Sequence, residues 1–516
     1  MNGKKDRNRM LMGMAVNIFA CLIQAGISFF VSPFLIGKLG EEAYGFVSLS
    51  TNFTEYLALV TITINSMSSR FISVEYNKGN LGEANCYFAS VFWFNLLFSA
   101  IMLVATIFLI SRLDQILVID GSLVHDVKIT FMITFVNSAI SFLSTCYAAI
   151  PFTMNRMDIN AYIQIFSKIV RALVIVSLYS LFTTRIYYIG CANIVSSVVF
   201  FWVLYIYMKK TISFDVGIKH ASFPALVKIS KSGLWILVSN ISSIFLVGLD
   251  LLLADLILDQ KAMARLAVSK EIPTAIGGVL GYCSSVFAAW FTKLVARNEK
   301  NELIRAVKFS LGLLGGVLAT PFAGVIILGK DFLTLWLPEN RYTDSDIKEI
   351  YILMILTLVN VIVNAFMYSI HALFIAMDKV KKYSVVILSA SIISVLLTIY
   401  FAKNMKGGAY IIAGTSSVVM CVINLVWVPL YAEKVLKEKR FSVLRLIARN
   451  YCALGIVSAV LYFIRQNVII CDWNSFVCWG CFFSIIGFLL SAFVTMGRDE
   501  RTLVYKKIKD FWIERL

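Results

Sequence analysis

Two basic residues stand inside an apolar stretch of this chain. Lys168 and Arg171 interrupt the run 161–182. A spacing of three puts them on one face of a helix. Cations inside such a segment are costly and mark a place that holds an anionic group. The rival account is that the long side chains reach back to the nearer end of the segment, which is easier for Lys168 than for Arg171. Carboxylates occur in similar places. Glu55 lies midway along 44–67, and Asp250 and Asp255 lie in 232–256, Asp250 the deeper. A carboxylate there wants a cationic partner or a proton. Glu55 can therefore pair with Arg171, form a structural ion pair, or exchange a coupling proton or Na⁺. Lys270 and Glu271 open the next stretch, where Lys270 can simply neutralise Asp255 or Glu271. His371 stands beside Tyr368 and Asn364, placed either to bond a polar ligand or to pack between helices.

The elements that must position these groups are long apolar helices. Stretches of membrane-crossing length recur at about 11–35, 44–67, 86–110, 128–150, 161–182, 187–208, 232–256, 268–292, 306–328, 350–377, 384–402, 408–432, 450–466 and 476–496. A bilayer core needs roughly 20 apolar residues per helix. The reading is an all-α polytopic membrane protein of about fourteen spans. Placing the N-terminus in the cytoplasm puts 32 of the 47 Lys and Arg on the cytoplasmic side. Loops rich in Lys and Arg stay cytoplasmic, so both termini are expected there. Composition agrees: 59% of residues are hydrophobic and 15% charged, against roughly a quarter charged in soluble domains. The net charge of +17 is accounted for by short loops facing anionic lipid, without nucleic acid. The first apolar run is too long for a cleavable signal peptide and lacks a small-residue cleavage site.

Several chemistries are not expected. The longest hydrophilic insertions, near 209–231, 329–348 and 433–449, are too short to bury a core of their own. No phosphate-binding loop, nucleophile elbow or zinc-protease motif is present. His125, His220 and His371 are scattered, and Cys478-x-x-Cys481 lies in an apolar stretch without a partner pair. We therefore expect no enzyme, no metal site and no cofactor. Any driving force is an ion gradient, the membrane potential or the substrate's own gradient.

The chain looks like two halves. Segments starting at Asn17 and Asn240 align loosely at a constant offset that also matches Lys38 with Lys261 and Arg70 with Lys293. Arg70 and Lys293 then end equivalent helices on the cytoplasmic side, as an entrance, as a gate with Glu75, or as plain topological anchors. The expected domains are a six-helix lobe over 1–210, a second over 211–432, two further helices over 433–496, and a cytoplasmic interfacial tail over 497–516. Pro273 with Gly277, Gly278 and Gly281, and Pro321 with Gly315, Gly316 and Gly324, mark spans expected to bend.

The first hairpin reads Pro33-Phe-Leu-Ile-Gly-Lys-Leu-Gly40-Glu-Glu-Ala-Tyr44-Gly45, with Pro33 read as the end of the first helix. Arg70-Phe-Ile-Ser-Val-Glu-Tyr-Asn-Lys-Gly-Asn follows, with Glu83 after it. Together they resemble the opening of the Wzx-type polysaccharide flippases of the multidrug/oligosaccharidyl-lipid/polysaccharide exporter superfamily. The specific motifs lie in the first ~90 residues. Span count and size extend the likeness over the whole chain.

The resemblance implies a MATE-like fold of two lobes with a cleft. It implies transport of an undecaprenyl-pyrophosphate-linked oligosaccharide to the outer leaflet of the bacterial cytoplasmic membrane. Cationic groups would then meet phosphate: Arg171, Lys168, Arg70, Lys293 and Lys270, with His371 toward the sugar. Glu55, Asp250, Asp255 and Glu271 are the coupling or gating candidates. A polysaccharide polymerase and glycosyltransferases are the implied partners. A lipid II or teichuronic-type flippase, a drug/cation antiporter of the same superfamily, and a membrane-embedded polymerase or ligase are the competing functions. The extra two spans and the membrane-depth cations argue against the antiporter, and no large outer catalytic loop favours the enzyme.

Overall fold

Apolar runs this long bury their backbone polar groups only by becoming helices, and every regular element among the described residues is helical. The structure is a computed structural model and describes residues 23–495, apart from 24, 25, 28, 118, 122, 155, 213, 297, 298, 340, 378, 406 and 440. The first part of the stretch 11–35, with Asn17, and the expected interfacial tail over 497–516 lie outside the described residues. Each of the other expected stretches falls on a helix. In chain order these are α1, described over Phe29–Leu39, α2 (Glu41–Asn77), α3 (Leu81–Ser111), α4 (Val124–Thr153), α5 (Met157–Leu181) and α6 (Tyr188–Thr211). There follow α7 (Phe223–Ser243, continued by Asp250–Ile257), α8 (Gln260–Ala296), α9 (Lys300–Trp336), and α10 (Asp344–Ala365, continued by Tyr368–Ala376). The last four are α11 (Val380–Asn404), α12 (Gly408–Val422, continued by Val428–Leu436), α13 (Ser442–Arg465) and α14 (Trp473–Thr495). Among the described residues nine helices are long and apolar enough to cross a bilayer, eleven if each bent pair is one span. The expected fourteen is compatible with this.

The breaks are not where prolines suggest. α1 continues through Pro33 and stops at Gly40, whose φ of 98° is open to glycine at little cost. α8 and α9 run continuously through Pro273 and Pro321. α7 and α12 instead carry π-turns, at Ile244–Gly248 and Ile423–Trp427, the latter inside a helix that runs on to Leu436. Continuity fails in α7, which bends by 52° between Phe223–Lys231 and Gly233–Gly248. It also fails at Phe366–Met367, where α10 bends by 42°. In the first π-turn the Leu249 amide donates to the Ile244 carbonyl at 3.0 Å, one residue further back than in an α-helix.

The chain divides into two compact units. The first holds the described residues up to Val268 together with Ile387–Ile412, and the second holds Ser269–Val386 together with the described residues from Ala413. In the first unit α2 packs on α3, α4 and the start of α7, and α4 packs on α6. Phe88, Tyr147 and Phe214 fill one end of its core with Ile64, Val91 and Leu204. Asn95 Nδ2, fully buried, donates to Asn65 Oδ1 at 3.0 Å and to the Phe142 carbonyl at 2.9 Å, tying α2, α3 and α4. The hydrophilic segment after α6 is strapped to α3. Its Asp215 amide donates to Asn85 Oδ1 (2.8 Å), its Val216 carbonyl accepts from Trp93 Nε1 (2.8 Å), and its Ser222 amide donates to Ser90 Oγ (2.7 Å).

In the second unit α13 and α14 dock on α9 through small residues. Ser491 Oγ donates to the Gly316 carbonyl at 2.6 Å, and Arg465 makes a bidentate pair with Asp331 at 2.7 and 2.8 Å. A buried carboxylate starts α13. Glu433, 4% exposed, accepts from the amides of Phe441 (2.9 Å), Val443 (2.9 Å) and Leu444 (3.2 Å). A helix start leaves its first amides without internal partners. Replacing Glu433 by Ala strands those donors and is expected to destabilise the unit by about 2–4 kcal/mol. Thermal unfolding of the purified variant reads this, and an unchanged midpoint would show that the cap is dispensable.

Candidate functional site

The polar groups of α5 form a stripe. Five of its exposed large apolar residues, Tyr162, Phe166, Ile169, Leu173 and Val176, lie within about 40° of one line at roughly 100° per residue, while Leu181 at the helix end stands off it. On the same reckoning Lys168 lies roughly 120° and Arg171 roughly 180° from that line. Both are half-buried. Asn160 and Gln164 lie roughly 160° from it, on the same side. The face presented outward is thus apolar, and the opposite face reads Asn160, Gln164, Lys168, Arg171. The Ser167 carbonyl beside this stripe accepts from Ser196 Oγ of α6 at 2.9 Å, which fixes the rotation of α5 against its neighbour.

The pair is deeper than the apolar run implies. α5 starts at Met157, several residues before the run does, because Arg156 and Asp158 close on each other at 3.0 Å and form its polar end. At 1.5 Å per residue, Lys168 and Arg171 lie at least roughly 15 Å from either end of the helix. That is a long way for an extended side chain to return, more so for Arg171 than for Lys168. The neutral rungs Asn160 and Gln164 were missed in the sequence. Their i, i+4, i+8, i+11 spacing with the cations was the signal.

α2 supplies the second set of groups. Glu55 is exposed on it. Asn52 Nδ2, about one turn before it (3.3 Å), and the hydroxyl of the adjacent Tyr56 (2.5 Å) both donate to the Gly248 carbonyl in the π-turn of α7. A π-turn frees a carbonyl from the helix ladder, and here two side chains take it up. Asp250 begins the helix just past that turn and is 5% exposed, while Asp255, one turn on, is fully buried. Both have partners.

The signature residues of the first hairpin have local work. The Tyr44 hydroxyl donates to Ser32 Oγ at 3.1 Å, closing α1 on α2. A Cβ at Gly45 would lie 3.0 Å from Ala264 Cα, so glycine lets the start of α8 approach there without displacing its backbone. Arg265, which lies between the apolar stretches 232–256 and 268–292 and so outside both, is in α8, 9% exposed, with its Nε 3.7 Å from Glu41. The helix begins earlier than its apolar run because Asp259 Oδ1 accepts from the Ala262 amide at 2.7 Å.

The remaining candidates are placed as follows. Arg70 is exposed on α2, and the helix continues two turns beyond it. Of the alternatives for Arg70, the gate meets a Glu75 already bonded elsewhere, since Glu75 accepts from Lys78 and Asn80, both at 2.8 Å. These nearer donors hold the Glu75 carboxyl below its usual range, Asn80 foremost. Lys270 and Glu271 are half-buried on α8 and have partners. Lys293 is on the same helix, with its side chain outside the described residues. His371 Nε2 and the Tyr383 hydroxyl share a hydrogen bond of 3.0 Å, and the ring of Tyr368 lies 6.3 Å away. Near it, Asn424 Nδ2 donates to Asn364 Oδ1 (3.2 Å) and Asn364 Nδ2 to Asn360 Oδ1 (2.6 Å), an amide ladder joining the break of α10 to the π-turn of α12. No group of three or more His, Cys, Asp or Glu side chains converges as a metal site among the described residues.

Comparison with known proteins adds the family. Residues 10–291 match the sequence model of the polysaccharide biosynthesis protein family. The uncharacterized membrane protein EpsK of Bacillus subtilis (strain 168) is 25% identical over 502 residues, 97% of this chain and 98% of its own. The inward closed conformation of the lipid II flippase MurJ superposes with a TM-score of 0.69 at 15% identity, covering 93% of this chain and 98% of that one. An inward-facing multidrug resistance MATE transporter gives 0.66 at 13% identity, covering 83% and 98%. These likenesses bear out the resemblance carried by the first hairpin, and the solved neighbours are transporters rather than enzymes. The chain belongs to the polysaccharide biosynthesis protein family and has the fold of the multidrug/oligosaccharidyl-lipid/polysaccharide exporter superfamily.

Proposed function

We propose that this protein flips an undecaprenyl-pyrophosphate-linked oligosaccharide, the repeat unit of an O-antigen, capsule or exopolysaccharide, from the cytoplasmic to the outer leaflet. It acts by alternating access in a bacterial cytoplasmic membrane, with both termini cytoplasmic. The observation that carries this reading is the mid-span stripe of α5. A diphosphate requires cations, and guanidinium matches phosphate oxygens two at a time. Arg171 and Lys168 supply those cations away from the outward apolar face. Arg70, Lys270 and Lys293 are assigned to the phosphate's approach, and His371 to the sugar side. A polymerase and glycosyltransferases are its functional partners. Lipid II or a teichuronic-type precursor shares the diphosphate and is the second reading, favoured by the fold likeness to MurJ.

The test is direct. Purified protein in vesicles should make a polyprenyl-diphosphate oligosaccharide accessible to an external lectin. Accessibility equal to that of protein-free vesicles would overturn the reading. Reporter fusions at residues 220 and 335 should report opposite sides of the membrane, and the same side for both would overturn the orientation.

Coupling is assigned to Glu55 and Asp250, with Asp255 and Glu271 as gating groups. A carboxylate that trades a proton or Na⁺ for a cationic partner gives two states of different ligand affinity, as a ligand-driven switch requires. Glu55→Gln mimics the protonated form and should slow the cycle roughly tenfold or more, the scale of one proton-transfer group. Flux insensitive to pH and Na⁺ gradients, and unchanged in Glu55→Gln and Asp250→Asn, would leave both residues structural.

A further inference from the structure

The structure assigns an anionic-phospholipid headgroup site to the start of α13, formed by Arg445 and Arg449. The argument is independent of the transported substrate. Arg445, Cys452, Ile456 and Phe463 lie on one line of the helix and Arg449 roughly 40° from it. Arg445 and Cys452 are exposed, Ile456 is 45% and Phe463 65% exposed. An outward apolar line thus ends in two guanidinium groups. They stand roughly 5 and 10 Å from the helix start at 1.5 Å per residue. The polar layer on each side of a bilayer core is roughly 5–8 Å thick, which places Arg445 within such a layer and Arg449 just beyond its inner edge when the helix start marks the outer limit.

The neighbouring acids do not neutralise them. Glu433 is occupied by three backbone amides, and Glu438 Oε2 accepts from Lys308 Nζ of α9 at 2.9 Å. Lys434, Lys437 and Lys439 add positive charge in the same segment. Arg449 is half-buried, and its Nε is buried without a hydrogen-bond acceptor among the described residues. The exposed guanidinium of Arg445 at the end of the apolar outward line, beside that of half-buried Arg449, fits a phosphodiester whose acyl chains run along Ile456 and Phe463. Loop cations that only set topology need no such alignment with an apolar line.

The experiment measures the melting temperature of the full chain in a neutral detergent, titrated with short-chain phosphatidylglycerol, with phosphatidylcholine of the same chain length, or with inorganic phosphate. The expected result is a saturable rise with phosphatidylglycerol alone. Arg445→Gln with Arg449→Gln should weaken its apparent affinity roughly tenfold or more, the scale of two basic contacts to anionic lipid. Lys209→Gln with Lys210→Gln, a basic pair at the end of α6, should leave it unchanged. Arg449→Lys should retain part of it, which also covers failure of the double variant to fold. An equal response to phosphatidylcholine, a response to inorganic phosphate, or equal losses in both double variants would overturn the assignment.

Discussion

Arg171→Ala abolishes polymer export while the amount of protein in the membrane stays at the wild-type level. This expectation follows from where the side chain sits. Arg171 is diametrically opposite the outward apolar line of α5 and roughly 15 Å or more from either helix end. A cation kept at that depth is costly and marks a functional group, and on the proposed reading its removal takes away a phosphate contact. Arg171→Lys keeps the charge but loses the bidentate fork, and should retain part of the export. Lys168→Ala should fall between the two, because the remaining guanidinium still offers its fork. The measurements are surface polymer in a strain lacking its own flippase and immunoblots of the membrane fraction. Normal export by the alanine variant would remove Arg171 from the site. Loss of protein with loss of export would make it a structural residue.

Gly315→Ala is expected to lower the thermal midpoint by several degrees, through the docking of α13 on α9. A Cβ at Gly315 would lie 2.1 Å from Asn450 Oδ1. Asn450 is fully buried, and its Nδ2 donates to the Leu311 carbonyl at 2.9 Å. It has nowhere to retreat without breaking that bond. Overpacking costs about 1–3 kcal/mol and the lost hydrogen bond about 1 kcal/mol. The double variant Gly315→Ala with Asn450→Ala should recover part of the loss, because the two residues share one contact. Melting of the purified variants in detergent reads both effects. A single variant with the wild-type midpoint would show that α13 does not sit as closely on α9 as described.

Much of the scaffold was legible before any fold was known. A run of some twenty apolar residues has one low-energy form in a bilayer, and its position depends on composition alone. Those runs all fell on helices wherever the residues are described. The shared face of Lys168 and Arg171 was legible too, from their spacing of three, whereas Asn160 and Gln164 were missed although helical period adds them to the same stripe. Helix ends were less so. Pro33, Pro273 and Pro321 each lie within continuous helices, since a single missing amide is tolerated in a long membrane helix.

Tertiary structure decided what depends on a neighbour. The π-turn at Ile244–Gly248 exists where Asn52 and Tyr56 reach its carbonyl from α2, and no local pattern announces a partner 196 residues away. Arg265 lies outside the apolar stretches and is buried beside Glu41, and Glu75 takes Lys78 and Asn80. In each case the chain supplied ionisable or polar groups in the right number, and only folding determined which stood within hydrogen-bond or ion-pair reach. Apolar length is a property of consecutive residues and is read along the chain. Polar pairing is short-ranged and directional, so the packed helices had to select the partners.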